Sequence, residues 1–344
     1  MSDARSEGRG VARVAPPRRT VALTGADGFL GRNLIGLLED DDRVGRVLAI
    51  DLKNPPTAGR KTRFYKVDLT QPSVDQSLAE IFASEGVDTL LHMAFLASPT
   101  HARAWAHELE SVGTMHVLNA CRQHTVRRFV LWSQTLIYGA LPSNPNHLTE
   151  DHPLRGSAES RFLQDKIQAE EAVARFARQV PGTTCTVLRL APILGPTVSN
   201  WLTRYLGHRL VPTLMGFDPL VQLLHEVDAL AAFKMAVMLD APGTYNIVGD
   251  GVLPLSTVIR LAGRSPLPVP HPLARPLASA LWTAQLSEAP PPFVDYLRWV
   301  CVADGAKAAR ELGFRPAFTT REAVLDYAGA QSLRDVQLLK PATG

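Results

Sequence analysis

Thr24-Gly25-Ala26-Asp27-Gly28-Phe29-Leu30-Gly31 is the stretch of sequence that decides the fold. It follows a short apolar run and opens a helical pattern, FLGRNLIGLLED. Gly25 permits a tight turn, Gly28 lets backbone amides approach a pyrophosphate, and Gly31 lets the helix pack closely against the strand. The helix N-terminus adds N–H groups without helical partners and the positive end of a dipole. The stretch predicts a dinucleotide-binding turn, and a purely structural glycine turn is the alternative.

An acidic residue supports the dinucleotide interpretation. Asp51 ends the second apolar run, 20 residues after Gly31. A carboxylate at that point accepts hydrogen bonds from the ribose hydroxyls and repels a 2′-phosphate, so it favours NAD over NADP. Lys53 and Arg60 lie nearby and leave NADP open as the alternative.

Strand-like and helix-like runs alternate along the first half of the chain. The strand-like runs are short and apolar throughout, as expected for strands buried on both faces. This alternation predicts an α/β fold with a Rossmann-type, doubly wound parallel sheet and a smaller C-terminal substrate domain. The strand-like runs are 20–25, 46–52, 88–94, 127–133 and 184–192, and the helical runs are 29–40, 73–86, 101–123 and 160–179.

The alternation of strand-like and helix-like runs ends after Pro196. Residues 197–225 look irregular, a helix and a strand then follow, and 264–292 are rich in proline around an apolar stretch. Proline at that spacing predicts that no long straight helix forms there. The apolar stretch could be packed core, a lid over an apolar ligand or a surface for a partner. The predicted division is a disordered tail at 1–18, an NAD-binding domain at 19–196 plus 226–251, and a substrate-binding region at 197–225 plus 252–344.

Composition excludes several classes of protein. The net charge of +3 is small for 344 residues, and no dense basic stripe of the kind that binds DNA is present. Three scattered cysteines lack metal-ligand spacing, which is typical of reduced thiols in a cytoplasmic protein. The N-terminus has no apolar signal region, and no run approaches the length that spans a bilayer. We therefore expect a cytoplasmic protein without a metal, a transmembrane segment or a nucleic-acid partner.

Several motifs in order resemble the extended short-chain dehydrogenases of the NAD-dependent epimerase/dehydratase type, such as UDP-galactose 4-epimerase. The resemblance spans roughly residues 20 to 328 and implies that Asp68 and Leu69 flank the adenine and that Ala94 lines the groove near the ribose. It also implies a nucleotide-sugar substrate and a homodimer formed through the helices at 101–125 and 158–179. The motifs are TGADGFLG, VDL at 67–69, LLHMA at 90–94, IYG at 137–139, LRLAPILGP at 188–196, HEVDALAA at 225–232 and ADGAKAARELGFRP at 303–316.

The resemblance also shows where the catalytic residues depart from the family. In the family, a Tyr-x-x-x-Lys helix supplies the acid/base, and its lysine holds the ribose. The matching segment runs from Phe162 to Lys166, so the lysine is present and the tyrosine is a phenylalanine. The family's Ser/Thr position on the fifth strand is Gln134, with Ser133 and Thr135 beside it.

Further positions also differ from the family pattern. The family's asparagine on the preceding helix is Glu110, the asparagine before the Gly-Pro of the sixth strand is Pro192, and an arginine that meets a substrate diphosphate is missing before His225. A benzene ring has no ionisable proton, so Phe162 cannot act as a base. Acid–base assistance is typically worth about 10²–10⁴ in rate. Together these departures argue against ordinary epimerase or dehydrogenase turnover.

Four hypotheses remain open on the sequence. The chain could be an enzyme with a rearranged acid/base, using Glu110, Tyr138 or a bound water. It could be a non-catalytic NAD-binding sensor or partner subunit. It could use the same scaffold for a non-redox reaction. The missing diphosphate arginine and the apolar 264–292 stretch also favour an apolar, lipid-like or sterol-like alcohol as substrate. For Lys166, the choice is between holding the ribose and lying in solvent near Glu170.

Overall fold

Thirteen strands form in the described part of the chain. A computed structural model describes residues 18–287 and 289–339, with side chains described as far as 333. The predicted disordered tail at 1–18 lies, except for Arg18, outside the described residues. The strands are β1 Arg19–Thr24, β2 Val44–Asp51, β3 Thr62–Lys66, β4 Thr89–His92, β5 Arg128–Gln134, β6 Thr184–Leu190, β7 Ile193–Leu194, β8 Leu210–Leu214, β9 Leu220–Val221, β10 Leu224–His225, β11 Gly243–Ile247, β12 Leu253–Pro254 and β13 Ser265–Val269.

Ten α-helices accompany these strands. A π-helical turn, Glu108–Val112, joins α3 to α4 in one continuous helical segment. Among the described residues, no helix is both long and apolar enough to cross a bilayer. The helices are α1 Phe29–Glu39, α2 Val74–Glu85, α3 Arg103–His107, α4 Gly113–Gln123, α5 Arg161–Gln179, α6 Trp201–Gly207, α7 Glu226–Met238, α8 Leu255–Leu261, α9 His271–Thr283 and α10 Thr320–Leu339.

Seven strands make one parallel sheet in the order β11-β6-β5-β4-β1-β2-β3. The predicted doubly wound parallel sheet is therefore confirmed. Two hydrophobic clusters lie against its faces: one contains α1 and α7 residues such as Leu34 and Phe233, and the other contains α2 and α5 residues such as Phe82 and Phe176. The chain order reverses between β1 and β4, and in open α/β sheets the ligand crevice forms at such a reversal, outside the carboxyl ends of the strands.

The region after Pro196 is more regular than the sequence predicted. Residues 197–225, which were expected to be irregular, contain α6 and three short strands. The 13-residue helix α9 occupies part of the proline-rich segment 264–292 and covers less than half of its length. Pro272 lies in its first turn, where amides have no helical partner, so only Pro276 removes a helical hydrogen bond.

Candidate functional site

A groove of about 390 Å³ runs along the carboxyl ends of the central strands. It begins at the glycine turn between β1 and α1, passes the end of β2, and reaches the ends of β5 and β6. The residues predicted for the cofactor and found in its lining are Gly25, Gly28, Phe29, Leu30, Gly31, Asp51, Asp68, Leu69 and Ala94. The sequence did not identify the other side of the groove, which includes Leu96, Trp105, Trp132 and Trp201.

Close backbone contacts hold the glycine turn. Gly25 has a φ of +72°, and a Cβ built there would lie 2.5 Å from the carbonyl oxygen of Met93. A Cβ on Gly31 would lie 2.4 Å from the carbonyl oxygen of Gly25. Both positions therefore exclude a side chain. Gly28 precedes α1 and gives the helix no side-chain cap, which leaves the first helical amides to face the groove.

The carboxylate of Asp51 is held in place by backbone amides. Its Oδ2 atom accepts a hydrogen bond from the Asp27 amide at 2.9 Å, and its Oδ1 atom accepts one from the Leu52 amide at 2.6 Å. The Asp27 side chain instead pairs with Arg32 at 2.7 Å and does not line the groove. Asp27 was predicted to bind the cofactor, and the structure gives it a positioning contact to Asp51.

A second carboxylate lies farther along the groove. Asp68 accepts hydrogen bonds from the Thr70 hydroxyl at 2.7 Å and from the Thr70 amide at 3.0 Å, and these bonds lower the pKa of Asp68. Next to it, the Cβ of Leu69 lies 3.2 Å from where a Cβ on Gly113 would stand. Asp68 is therefore held ionised, and Leu69 is fixed between the groove and α4.

Phe162 lies in a cluster of apolar side chains. It is 8% exposed and packs with Leu136 and Ile137 from the end of β5. Its ring centroid lies 6.1 Å from that of Phe293, and Phe293 meets Trp201 edge-to-face at 5.3 Å. The position that carries a phenol in the family is therefore surrounded by aromatic and aliphatic side chains.

Lys166 forms a buried ion pair with Glu110. Its Nζ atom donates to the two carboxylate oxygens at 2.9 and 3.0 Å, and the side chains of Lys166 and Glu110 are 4% and 1% exposed. The Nζ atom also lies 3.7 Å from the centroid of the Phe162 ring. The solvent-exposed environment near Glu170 is not found, because Lys166 is buried and Glu170 pairs with Arg189 at 2.6 Å. Lys166 does not line the groove, and its role toward a ribose stays a prediction.

Burial and ion pairing have opposite effects on the pKa of each residue in this pair. Burial raises the pKa of Glu110 and lowers the pKa of Lys166, while the attraction between the two charges opposes both shifts. Glu110 also accepts a hydrogen bond from the amide of Leu96, which lines the groove, at 2.6 Å. The ion pair therefore lies directly behind the groove wall.

The π-helical turn determines where Glu110 points. Such a turn contains one more residue than the α-helix around it, which changes the direction of the side chains within it. Glu110 lies in the middle of the turn and faces α5, where Lys166 is located. The sequence marked Glu110 as unusual, but no local pattern indicated this partner.

The end of β5 presents one polar side chain to the groove. Gln134 lines it, and its Nε2 atom is buried without a hydrogen-bond partner among the described residues. Ser133 and Thr135 are buried, and neither lines the groove. Side chains alternate along a strand, which accounts for the difference. Of the three predicted residues, only Gln134 reaches the crevice.

Tyr138, offered by the sequence as an acid/base, and His92, the histidine of the LLHMA motif, form hydrogen bonds within the protein. The Tyr138 hydroxyl donates to Asn246 Oδ1 at 2.8 Å and accepts from Arg189 at 2.8 Å, outside the groove. His92 is fully buried between Thr24 and Thr114, and burial lowers its pKa to about 3. Neither side chain reaches the groove in this structure.

A second cavity of about 390 Å³ adjoins the groove. It lies between α6, α8, α9 and the segment that follows α9, and we call it the chamber. Pro192 and Trp201 line both the groove and the chamber, so the two spaces meet at the end of β6. Among the described residues, no group of three or more His, Cys, Asp or Glu side chains could hold a metal ion.

Comparison with known families agrees with this architecture. The model of the NAD dependent epimerase/dehydratase family matches residues 21–248. An uncharacterized protein of Mycobacterium tuberculosis is 36% identical over 326 residues, covering 92% of this chain and 85% of that protein. The chain therefore belongs to the NAD-dependent epimerase/dehydratase family.

Other relatives have more specific names. A 3-diazoavenalumate denitrifying reductase of Streptomyces is 27% identical over 282 residues, covering 78% of this chain and 90% of that protein. The Thermus thermophilus UDP-glucose 4-epimerase in complex with NAD has a TM-score of 0.71 at 18% identity, covering 90% of this chain and 98% of that chain. The structure of MoeE5 in complex with UDP-glucuronic acid and NAD also has a TM-score of 0.71, at 20% identity. The match covers 92% of this chain and 99% of that chain. At these identities, the structural matches show a shared fold.

Proposed function

We propose that this protein binds NAD in the groove and that the tyrosine-based acid/base step of its family has been lost. The proposal that NAD binds here rests on the Asp51 carboxylate, which two backbone amides hold in place where the cofactor ribose would lie. The first helical amides of α1 then face the pyrophosphate, and Asp68 and Leu69 flank the adenine. The Thermus thermophilus epimerase and MoeE5, which share this fold, were crystallised with NAD.

The second part of the proposal rests on Phe162 and Lys166. Bound NAD would supply a hydride acceptor for a carbinol carbon, and the protein would have to remove the hydroxyl proton. Phe162 has no group that can take it, and Lys166 is engaged by Glu110 behind the groove wall. Gln134 can donate a hydrogen bond to an oxygen in the groove but cannot act as a base at neutral pH.

This arrangement favours a role in which binding is kept and rapid turnover is lost. A non-catalytic NAD-binding sensor or partner subunit is the second candidate, and the sealed Glu110–Lys166 pair favours it because neither group can exchange a proton with a ligand in the groove. A slow dehydrogenase that uses water as its base would have the same groove. The two differ in turnover, which can be measured.

Cofactor titration followed by an activity assay tests the proposal. Calorimetric titration of the purified full chain should show saturable binding of NAD and weaker binding of NADP. UDP-glucose and UDP-galactose should then show no epimerisation above about one part in 10² of an ordinary family enzyme. If neither dinucleotide binds, the first part is wrong. If the unmodified protein epimerises either sugar rapidly, the second part is wrong.

The Phe162→Tyr variant separates two causes of inactivity. If the phenol alone is missing, this variant gains activity on UDP-sugars. We expect it to remain inactive, because Lys166 is still paired with Glu110 and cannot lower the pKa of the new phenol. The control is Phe176→Tyr, a buried ring on the same helix α5 at a distance from the groove. Activity in Phe162→Tyr would show that the pocket still accepts nucleotide sugars.

A further inference from the structure

The lining of the chamber points to the class of ligand that lies beside the cofactor. We propose that the chamber binds an uncharged apolar molecule with one hydroxyl or keto oxygen, and not a nucleotide sugar. The inference rests on the proposed function, since it places the oxygen of that molecule at the end of the NAD groove. It specifies the substrate class that the family fold leaves open.

Charge is the first argument. Among the described residues, the chamber lining contains no Lys, Arg, His, Asp or Glu. A nucleotide sugar carries a diphosphate, and moving that charge out of water without a cationic partner costs several kcal/mol, on the order of the penalty for any buried unpaired ion. The chamber therefore disfavours a diphosphate.

The polar side chains of the chamber form the second argument, because five of them are already hydrogen-bonded within the protein. Sugar hydroxyls placed here would lose water without gaining these partners, which is unfavourable. The bonds run from Tyr205 to the Pro212 carbonyl at 2.6 Å, from Tyr296 to the Leu136 carbonyl at 2.5 Å, between Gln222 and the Ala303 backbone at 2.9 and 3.1 Å, from Ser287 to the Ala289 carbonyl at 3.1 Å, and from Cys301 to the Thr135 carbonyl at 3.6 Å.

Shape is the third argument. A volume of about 390 Å³ lies within the range of natural small-molecule pockets. Trp201, Phe293 and Trp299 give the chamber broad aromatic walls, and Phe162 stands behind Phe293. The replacement of the family tyrosine thus extends an apolar surface that continues into the chamber.

The junction with the groove fixes the orientation of the ligand. Pro192 and Trp201 border both spaces, and Leu136 of the chamber follows Gln134 of the groove by two residues. Gln134 lines this end of the groove, and its Nε2 atom, buried without a partner among the described residues, would become a donor for a ligand oxygen once the side chain rotates toward the groove. The apolar body of the ligand would then fill the chamber, with its oxygen toward the cofactor.

Helix α9 forms the outer wall and the entrance. Leu277 and Leu281 line the chamber and are also 47% and 37% exposed to solvent. The two leucine side chains therefore offer an apolar molecule a path into the chamber. Of the three interpretations of 264–292, a lid over an apolar ligand agrees best with this placement.

A fluorescence titration with the neutral probe N-phenyl-naphthylamine tests the inference, with and without NAD. We expect saturable binding at one site, displacement by dodecanol and no displacement by UDP-glucose. Ala278→Trp fills the chamber from α9 and should weaken probe binding by at least about tenfold, which corresponds to roughly 1.4 kcal/mol. Ala280→Trp adds the same ring to the exposed side of α9 and should leave binding unchanged.

Each alternative result contradicts the inference in a defined way. Displacement of the probe by UDP-glucose would show that the chamber accepts a diphosphate, and equal binding in both α9 variants would place the probe elsewhere. Circular dichroism of both variants checks that they fold. Because the probe is titrated without NAD as well, failure of NAD binding would refute the proposed function while the chamber result still stands on its own.

Discussion

At the scale of residues, the proposed loss of the tyrosine-based step depends most directly on Phe162 and on the ion pair between Glu110 and Lys166. In the family pattern, the lysine serves the ribose and the tyrosine, whereas here it serves a carboxylate that is 1% exposed. Glu110 and Phe162, two positions that differ from the family pattern, thus both contact Lys166. The Glu110 carboxylate holds the Lys166 ammonium over the Phe162 ring.

Glu110→Gln should destabilise the fold by about 3–5 kcal/mol, because it leaves the Lys166 ammonium buried without its counter-charge. The free energy of unfolding from urea denaturation measures this effect. Glu110→Gln combined with Lys166→Met should recover part of the loss. Glu171→Gln removes one partner of an exposed pair with Arg175 on α5 and should change stability by no more than about 0.5 kcal/mol. Equal effects of Glu110→Gln and Glu171→Gln would contradict the buried ion pair.

Asp51→Asn should weaken NAD binding by roughly tenfold or more, because a charged acceptor for the ribose hydroxyls is lost. NADP should lose less affinity, since the repulsion of its 2′-phosphate also disappears. Calorimetric titration of both dinucleotides gives the ratio. Asp42→Asn changes an exposed acid outside the groove and serves as the control. An unchanged ratio in Asp51→Asn would place the ribose elsewhere.

At the scale of elements, polar contacts hold the edge strand β3 to the rest of the sheet. Its sequence, TRFYK, is mostly polar and was not recognised as a strand. Glu85 at the end of α2 accepts hydrogen bonds from Arg63 and Tyr65 of β3 at 2.6 and 2.7 Å, and from Arg46 of β2 at 2.5 Å. One carboxylate therefore links the edge strand to its neighbour.

Glu85→Gln should lower the free energy of unfolding at pH 7 by about 1–2 kcal/mol, because charged hydrogen bonds to β2 and β3 are lost. The loss is smaller than for a fully buried carboxylate, because both arginines are partly exposed to solvent. The hydroxyl of Tyr65 and the arginines lower the pKa of Glu85. A lowered carboxyl pKa contributes stability above the unfolded pKa of about 4.3, and this contribution is lost as the pH falls through the folded value. The difference between wild type and variant should therefore shrink below about pH 4. A difference that grew with acid would contradict this assignment.

The sequence predicted the elements whose apolar pattern decides their structure and missed those decided by distant contacts. The five apolar strands and the glycine turn follow from local composition, and each of them forms. The strand β3 depends on Glu85, and the environment of Lys166 depends on a residue 56 positions away. The chamber is assembled from α6, α8 and α9, and no single stretch of sequence contains its shape. The domain boundaries and the roles of the site residues stay predictions.

At the scale of the whole molecule, the family resemblance predicts a homodimer through 101–125 and 158–179. Met115 lies in this region on α4 and is 46% exposed. We expect a dimeric mass by light scattering after size exclusion, and Met115→Arg should shift it toward the monomer. Leu37→Arg changes a side chain of 36% exposure on α1 and should keep the dimer. A monomeric wild type would contradict the prediction.

The π-helical turn at Glu108–Val112 has a consequence for Lys166 through the direction of the Glu110 side chain. Such a turn amounts to a one-residue insertion in a regular helix. Deleting Val112 would remove the extra residue and let the segment close as a regular α-helix, which redirects the side chains inside the turn while the flanking helices keep their orientation. Glu110 would then turn away from α5, and its departure would free the lysine amine for a sugar hydroxyl of the dinucleotide. The length of this helical segment, as well as the identity of its side chains, thus determines whether Glu110 engages the Lys166 amine.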